Sequence, residues 1–330
     1  LKKPKVLITR KIPEPAVLLL KEYCEVEMNP NDKAMPRNEL LSGVKGKDAV
    51  LCLLTDKIDD EVFKAAGKQC KIFANYAVGY NNVDMEAATK RGIFITNTPG
   101  VLDDATADLA WALLFSVSRR IVEADQFTRE GKFKGWKSNL YLGRDVTGKT
   151  LGIIGGGRIG RNLGKKAKAF DMKIIYIANS RKVAFEEETK ARFVDKDTLL
   201  READFISIHV PLLPSTKHYI SEPEFNLMKE TAILINTSRG PVIDEKALVK
   251  ALKAKKIWGA GLDVFENEPY LEPELEKLSN VVIVPHIGSA TIETRNNMGL
   301  MAARNIIQAL NGEIPANTLN RECITGAKEE

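Results

Sequence analysis

The sequence predicts the α/β class: two domains, each a doubly wound parallel sheet with helices on both faces. Three observations carry this expectation. Short β-rich runs alternate with segments of helical period along almost the whole chain. At 330 residues the chain exceeds one ordinary α/β core. The breaker Asn97-Thr98-Pro99-Gly100 then separates one alternating series from a second.

The first series has strand-like runs at residues 5–9, 26–28, 49–54, 72–77 and 93–96, with helical patterns at 15–22, 59–66 and 84–91. After the breaker a single long helix is expected over residues 104–129, capped by Asp103 or Asp104, with Leu109, Leu113 and Val117 as its apolar stripe. Residues 131–148 read as irregular. The second series places strands at 151–154, 174–177, 205–209, 232–236, 258–262 and 281–284. Six strands separated by helical segments match the Rossmann arrangement. A final amphipathic helix is expected over 291–310, ended by Gly312-Glu313-Ile314-Pro315.

Composition narrows the function classes. Hydrophobic residues make up 44% and charged residues 28%, the profile of a soluble globular protein. No run approaches the roughly 20 apolar residues that span a bilayer. The opening Leu1-Lys2-Lys3-Pro4-Lys5 enters a strand at once and does not read as a secretory signal. Cys24, Cys52, Cys70 and Cys323 are scattered without a CxxC pair, and only three histidines accompany them. That argues against a metal site or a disulfide framework and for a reducing cytoplasm. The net charge of +5 arises from 49 basic and 44 acidic residues spread along the chain, with no nucleic-acid footprint.

Gly155, Gly157 and Gly160 form a GxGxxG loop between the expected strand 151–154 and a helix over 159–169. The first glycine permits a tight turn, the second lets backbone approach a pyrophosphate, and the third allows close packing of helix on sheet. The loop alone also fits a methyl-donor or FAD site. The next strand ends in Ile177-Ala178-Asn179-Ser180-Arg181-Lys182, without the acid that would bind a ribose 2′-hydroxyl. Asn179, Ser180 and Arg181 could instead hold a 2′-phosphate, which predicts NADP(H) preference with NAD(H) possible; the alternative is that Arg181 and Lys182 are a solvated loop.

Arg239, Glu268 and His286 each follow a later strand of the second series, on the side of the sheet expected to face nicotinamide. A protonated imidazole can give a proton to a carbonyl oxygen that receives a hydride. A carboxylate beside it favours its charged form, and a guanidinium fork binds carboxylate and carbonyl oxygens. These roles fall to His286, Glu268 and Arg239. Taken singly, each also reads as an ordinary polar residue at a strand end. His209 is expected to border the adenine pocket and His218 to lie in a loop. Asp263, at the end of the fifth strand, either hydrogen-bonds the nicotinamide amide or is a turn aspartate.

The stretches at 75–84, 96–109, 152–160, 236–240, 261–269 and 285–291 resemble the D-isomer-specific 2-hydroxyacid dehydrogenase family, on the glyoxylate/hydroxypyruvate reductase branch. The resemblance covers nearly the whole chain and implies a discontinuous substrate domain of flavodoxin-like build, residues 1–100 with 288–330, closing on a nucleotide domain at 101–287. It puts Arg239, Glu268 and His286 on the family's catalytic positions, and Val78 and Gly79 on the loop whose N–H groups receive the substrate carboxylate along with Arg239. Arg158 and Ile159 match pyrophosphate positions, Val210 and Pro211 the adenine wall, and Thr106 a position near nicotinamide. Thr237, Ser238, Asp263 and Gly288 complete the expected cofactor side. The implied reaction reduces glyoxylate or hydroxypyruvate to glycolate or D-glycerate. Other 2-hydroxy acids, phosphite or a non-catalytic cofactor-sensing co-repressor are the alternatives. Residues 131–148 resemble the family's dimerisation region, so a homodimer is expected.

Overall fold

The structure, a computed structural model, describes residues 2–324, and side chains as far as residue 322. The Cys323 side chain and the last six residues of the expected substrate domain lie outside the described residues. The chain divides into two compact units: Leu1–Leu102 with Ala290–Glu330, and Asp103–Ser289.

The first unit carries a five-stranded parallel sheet of β1 (Lys5–Ile8), β2 (Glu25–Met28), β3 (Ala49–Cys52), β4 (Ile72–Asn75) and β5 (Phe94–Thr96), in the order β2-β1-β3-β4-β5. This is the flavodoxin order. β3 and β4 are buried along their whole length, as central strands covered on both faces must be. Helices α1 (Glu14–Tyr23), α2 (Arg37–Gly43), α3 (Asp60–Ala66) and α4 (Met85–Lys90) connect the strands. The sequence reading missed α2, which follows Pro36 and buries only Leu40. Asp59 and Asp84 cap α3 and α4 by accepting from the N–H groups of Val62 and Ala87. Cys24, Cys52 and Cys70 are free and buried here, and burial pushes the Cys70 thiol up to about 12.

The second unit begins with helix. The expected long helix is two helices, α5 (Asp103–Ser118) and α6 (Ile121–Arg129), and Asp103 is the first helical residue instead of a cap. Arg120 breaks the helix at φ 54°. The carbonyl of Ser118 leaves the helical ladder and accepts from Arg144 N–H at 2.7 Å. Gly143 must lack a side chain there, since a Cβ would stand 2.2 Å from the same oxygen. Arg120 pairs with Glu123 at 2.7 Å and lies over the Tyr141 ring.

The sheet has seven parallel strands: β6 (Thr150–Ile154), β7 (Lys173–Ile177), β8 (Arg192–Phe193), β9 (Phe205–Ile208), β10 (Ile233–Asn236), β11 (Gly259–Leu262) and β12 (Val281–Ile283). Their order is β12-β11-β10-β9-β6-β7-β8. The two-residue edge strand β8, exposed at both positions, was missed. The run at 205–209 is therefore the fourth strand, and it pairs with β6 on the side away from β7. Strand order reverses between β6 and β9, which is where α/β sheets open a crevice at their carboxyl ends. Among the helices of this unit, α7 (Arg158–Ala167) follows β6, α8 (Val183–Thr189) follows β7, α9 (Lys196–Glu202) precedes β9, α10 (Glu222–Leu227) precedes β10 and α11 (Glu245–Lys253) follows it.

The chain then returns to the first unit as α12 (Ile292–Leu310), capped by Thr291. Gly299 lets it approach α1 closely, because a Cβ would come within 2.8 Å of Ala16 Cβ. The Tyr76 hydroxyl donates to the Arg295 carbonyl at 2.5 Å.

Candidate active site

The three strand-end residues hang from β10, β11 and β12, adjacent strands on one side of the sheet's switch point. His286 Nδ1 lies 2.9 Å from Glu268 Oε2, with about a third of each side chain exposed (29% and 34%). The other Glu268 oxygen accepts from Phe265 N–H at 3.0 Å, so the carboxylate is fixed from both ends. Burial works to raise the Glu268 carboxyl, but the hydrogen bond and charge of His286 outweigh it and hold it below the ordinary carboxylate value. Burial pulls the Arg239 guanidinium below its usual value, while the Glu268 carboxylate opposes that shift.

His286 sits at φ 55°, a conformation that a non-glycine residue adopts at a cost. Asp263 maintains it. Its buried carboxylate accepts from Ile287 N–H at 2.6 Å and from Gly288 N–H at 2.8 Å, tying the histidine loop to the end of β11. Of the two readings of Asp263, the contacts are those of a residue that fastens a turn. Burial raises its carboxyl, and the two N–H donors act against the rise. Thr106 lies beside this turn: a Cβ on Gly288 would meet Asp263 Oδ2 at 3.0 Å and the Thr106 methyl at 3.4 Å.

The Arg239 loop is organised by Asn236. Its Oδ1 accepts from Ser238 N and Oγ at 3.0 Å each, and its Nδ2 donates to the Arg239 carbonyl at 3.0 Å. Thr237 Oγ1 is buried without a partner, a polar atom suited to a ligand. Gly240 presses on the loop that leads to Glu268, where a Cβ would stand 1.8 Å from the Phe265 carbonyl carbon. Glu245 and Glu266 clamp the same loop reciprocally: Glu266 N–H donates to Glu245 Oε1 at 2.7 Å, and Glu245 N–H to Glu266 Oε2 at 3.3 Å. His218 Nε2 lies 2.6 Å from Glu266 Oε1. Sequence reading overlooked Asn236, Glu245 and Glu266. Only Asn236 left a signal, as the polar residue closing an apolar strand.

The glycine loop fits a dinucleotide. Gly155 adopts φ 109°, and its Cα lies against the β9 strand end, where a Cβ would be 2.5 Å from His209 O and 3.0 Å from Val210 Cγ1. Gly157 faces open space, while a Cβ on Gly160 would be 2.2 Å from Gly155 O. Gly157 starts α7 without a side-chain cap, so Arg158, Ile159 and Gly160 open the helix with its backbone N–H groups free to meet an anion. The Pro211 carbonyl, past the wall position Val210, accepts from the Thr216 hydroxyl at 2.6 Å. His209 Nε2 pairs with Ser207 Oγ at 2.8 Å, and burial lowers its pKa to about 3, so it is neutral. Asn179, Ser180 and Arg181 are exposed beyond β7.

Val78 and Gly79 belong to the first unit. Asn97 Nδ2 donates to the Val78 carbonyl at 2.8 Å and Asn75 Nδ2 to the Gly79 carbonyl at 2.9 Å. Among the described residues neither Val78 N–H nor Gly79 N–H has a partner in the chain. Both asparagines went unnoticed in the sequence, although Asn75 opens the stretch that drew attention to the loop. Among the described residues no group of three or more His, Cys, Asp or Glu could hold a metal, and no helix is long and apolar enough to cross a membrane.

Residues 111–288 match the family model for the D-isomer specific 2-hydroxyacid dehydrogenase NAD binding domain. The chain belongs to that family. It is 56% identical to the glyoxylate reductase of Thermococcus litoralis, over 98% of this chain and 99% of that protein. A glyoxylate reductase from Paecilomyes thermophila superposes with a TM-score of 0.86 at 33% identity, covering 97% of this chain and 99% of the other. The NADPH-dependent glyoxylate/hydroxypyruvate reductase of Sinorhizobium meliloti, solved with NADP and malonate, gives 0.84 at 28% identity and 98% coverage of each. The cofactor of this dehydrogenase is accordingly a nicotinamide dinucleotide, held by the unit that contains the glycine loop.

Proposed function

We propose that this protein reduces glyoxylate and hydroxypyruvate to glycolate and D-glycerate. The observation that carries the reading is the 2.9 Å contact between His286 and Glu268, on a loop packed against Gly240, the neighbour of Arg239. The glyoxylate reductases of similar sequence over nearly the full chain support the substrate class.

The bound nicotinamide supplies the hydride. His286 donates its proton to the oxygen that becomes the hydroxyl, and takes it back in the reverse direction. Glu268 fixes the orientation of the imidazole through its contact with Nδ1. Arg239 offers a planar fork to the carboxylate and carbonyl oxygens of the 2-oxo acid, and its burial strengthens that attraction. The paired N–H groups of Val78 and Gly79 receive the carboxylate, their carbonyls being held away by the two asparagines. Gly155, Gly157 and Gly160 with Arg158 and Ile159 take the pyrophosphate, Val210 and Pro211 the adenine, and Thr106, Thr237, Ser238 and Gly288 the nicotinamide end.

NADP(H) is the preferred cofactor in this reading, because β7 ends without an acid and Arg181 stands beyond it. The protein works in the cytoplasm, consistent with three buried unpaired thiols. It forms a homodimer through α6 and the segment behind it. α6 buries none of its own residues, Phe133, Trp136 and Leu142 are exposed, and a groove along the helix is lined by Val122, Phe127, Tyr141 and Trp258.

Mixing the protein with NADPH or NADH and a panel of glyoxylate, hydroxypyruvate, larger 2-oxo acids and phosphite-coupled NADP+ tests the reading. Loss of reduced-cofactor absorbance with the two small acids is expected. Turnover confined to another acid, or none at all, removes it.

A further inference from the structure

The carboxylate missing from the end of β7 is supplied from elsewhere. Glu186, in the first turn of α8, takes Arg181 in a fork: Arg181 Nε donates to Oε1 at 3.2 Å and Nη2 to Oε2 at 2.5 Å. Tyr176, fully buried on β7, fixes that carboxylate, its hydroxyl donating to Glu186 Oε1 at 2.7 Å and accepting from Lys182 N–H at 2.6 Å. The anion is thus anchored, with 14% of its side chain exposed, while the Arg181 side chain remains 66% exposed. Lys182 Nζ is turned to Ser180 Oγ at 3.0 Å. The pair consumes the Nε–Nη2 edge of Arg181 and leaves its Nη1 side for an incoming ligand.

We infer that Glu186 sets how strongly the protein distinguishes a 2′-phosphorylated dinucleotide from one with a free 2′-hydroxyl, by orienting Arg181 and at the same time cancelling much of its charge. The inference rests on the reading that Arg181 meets the 2′-phosphate. A dianion reaching the Nη1 side of Arg181 meets a guanidinium whose charge is already paired with a carboxylate, and Lys182, turned to Ser180, is the cation beside it. The preference for the 2′-phosphorylated form is therefore held below what an unpaired Arg181 would give. Glu186→Gln keeps one acceptor oxygen for the Tyr176 hydroxyl and Arg181 Nε, removes the charge, and replaces the oxygen that accepted from Arg181 Nη2 with a donating amide nitrogen, which releases that half of the fork.

The test is calorimetric titration of the full-length, cofactor-free protein with adenosine 2′,5′-bisphosphate and with 5′-AMP. The quantity read is the ratio of the two affinities. Glu186→Gln is expected to raise the ratio roughly three- to tenfold at low salt, on the scale of a partly exposed ion pair, with the gain shrinking as salt is added. The NADPH-to-NADH ratio of kcat/KM should move the same way. Arg181→Gln should bring the affinity ratio towards one. An unchanged or lower ratio in Glu186→Gln, with Arg181→Gln still effective, overturns the inference and leaves the reading intact. An Arg181→Gln variant with the wild-type ratio removes both.

Discussion

Glu268 and His286 are in hydrogen-bond contact, and their pairing was legible in the sequence because each stands, like Arg239, just beyond an apolar run. What the sequence could not display is the support beneath them. Asp263 reaches forward more than twenty positions to hold Ile287 and Gly288, a contact created only by the adjacency of β11 and β12. His286→Ala should lower kcat by roughly 10²–10⁴ with the fold intact, the range for losing a general acid; steady-state rates with glyoxylate provide the check, and near-normal turnover would reassign the proton donor. The Glu245 carboxyl is displaced from its ordinary range. Burial pushes it up to about 7, with the N–H of Glu266 acting against the rise and the charges of Glu266 and Glu272 adding to it, while His218 pairs with Glu266. The folded state thus keeps a proton that the unfolded chain releases near its ordinary value, so stability falls as pH rises from about 4.5 to about 7 and stays reduced above that. Glu245→Gln lacks this slope. Its melting temperature relative to wild type should improve by a few degrees between pH 5 and pH 8, and parallel melting curves at both pH values would argue against the shift.

Elements were read well where burial repeats with a clear period and poorly where a distant contact decides. β3, β4, β9 and β10 are buried at every position and were recognised as apolar runs. The break between α5 and α6 carries no glycine or proline of its own; it comes from Gly143 and Arg144, which draw the Ser118 carbonyl out of the helix. β8 had no apolar pattern, because an edge strand of two exposed residues needs none. Missing it shifted the strand count by one, yet the three strand-end residues still follow neighbouring strands. Between elements, Gly240 is the tightest point of the site. Gly240→Ala would force the Arg239 and Glu268 loops apart, and kcat/KM should fall roughly 10²-fold or more, as displacements near 1 Å do. A crystal structure of the variant would show the separation; full activity would mean that the loops tolerate it.

For the molecule as a whole, the α/β class followed from rhythm and length, and both sheets are parallel as that rhythm implies, although the second has one strand more than the rhythm shows. The return of α12 to the first unit, where it packs on α1, β3 and β4, is a long-range contact that local patterning does not display. Assembly is a property at this scale. Light scattering should give twice the chain mass, and Phe133→Glu combined with Trp136→Glu should give the mass of one chain; a double variant that still sediments as a pair would place the interface elsewhere. The buried thiols have a practical consequence. Cys24, Cys52 and Cys70 all belong to the first unit, and the second contains no cysteine. In a Cys323→Ser background, alkylation of the native protein should be slow, and its rate should report the opening of that unit alone. The chain thereby carries its own stopwatch for the breathing of one half, set by thiols already in its sequence.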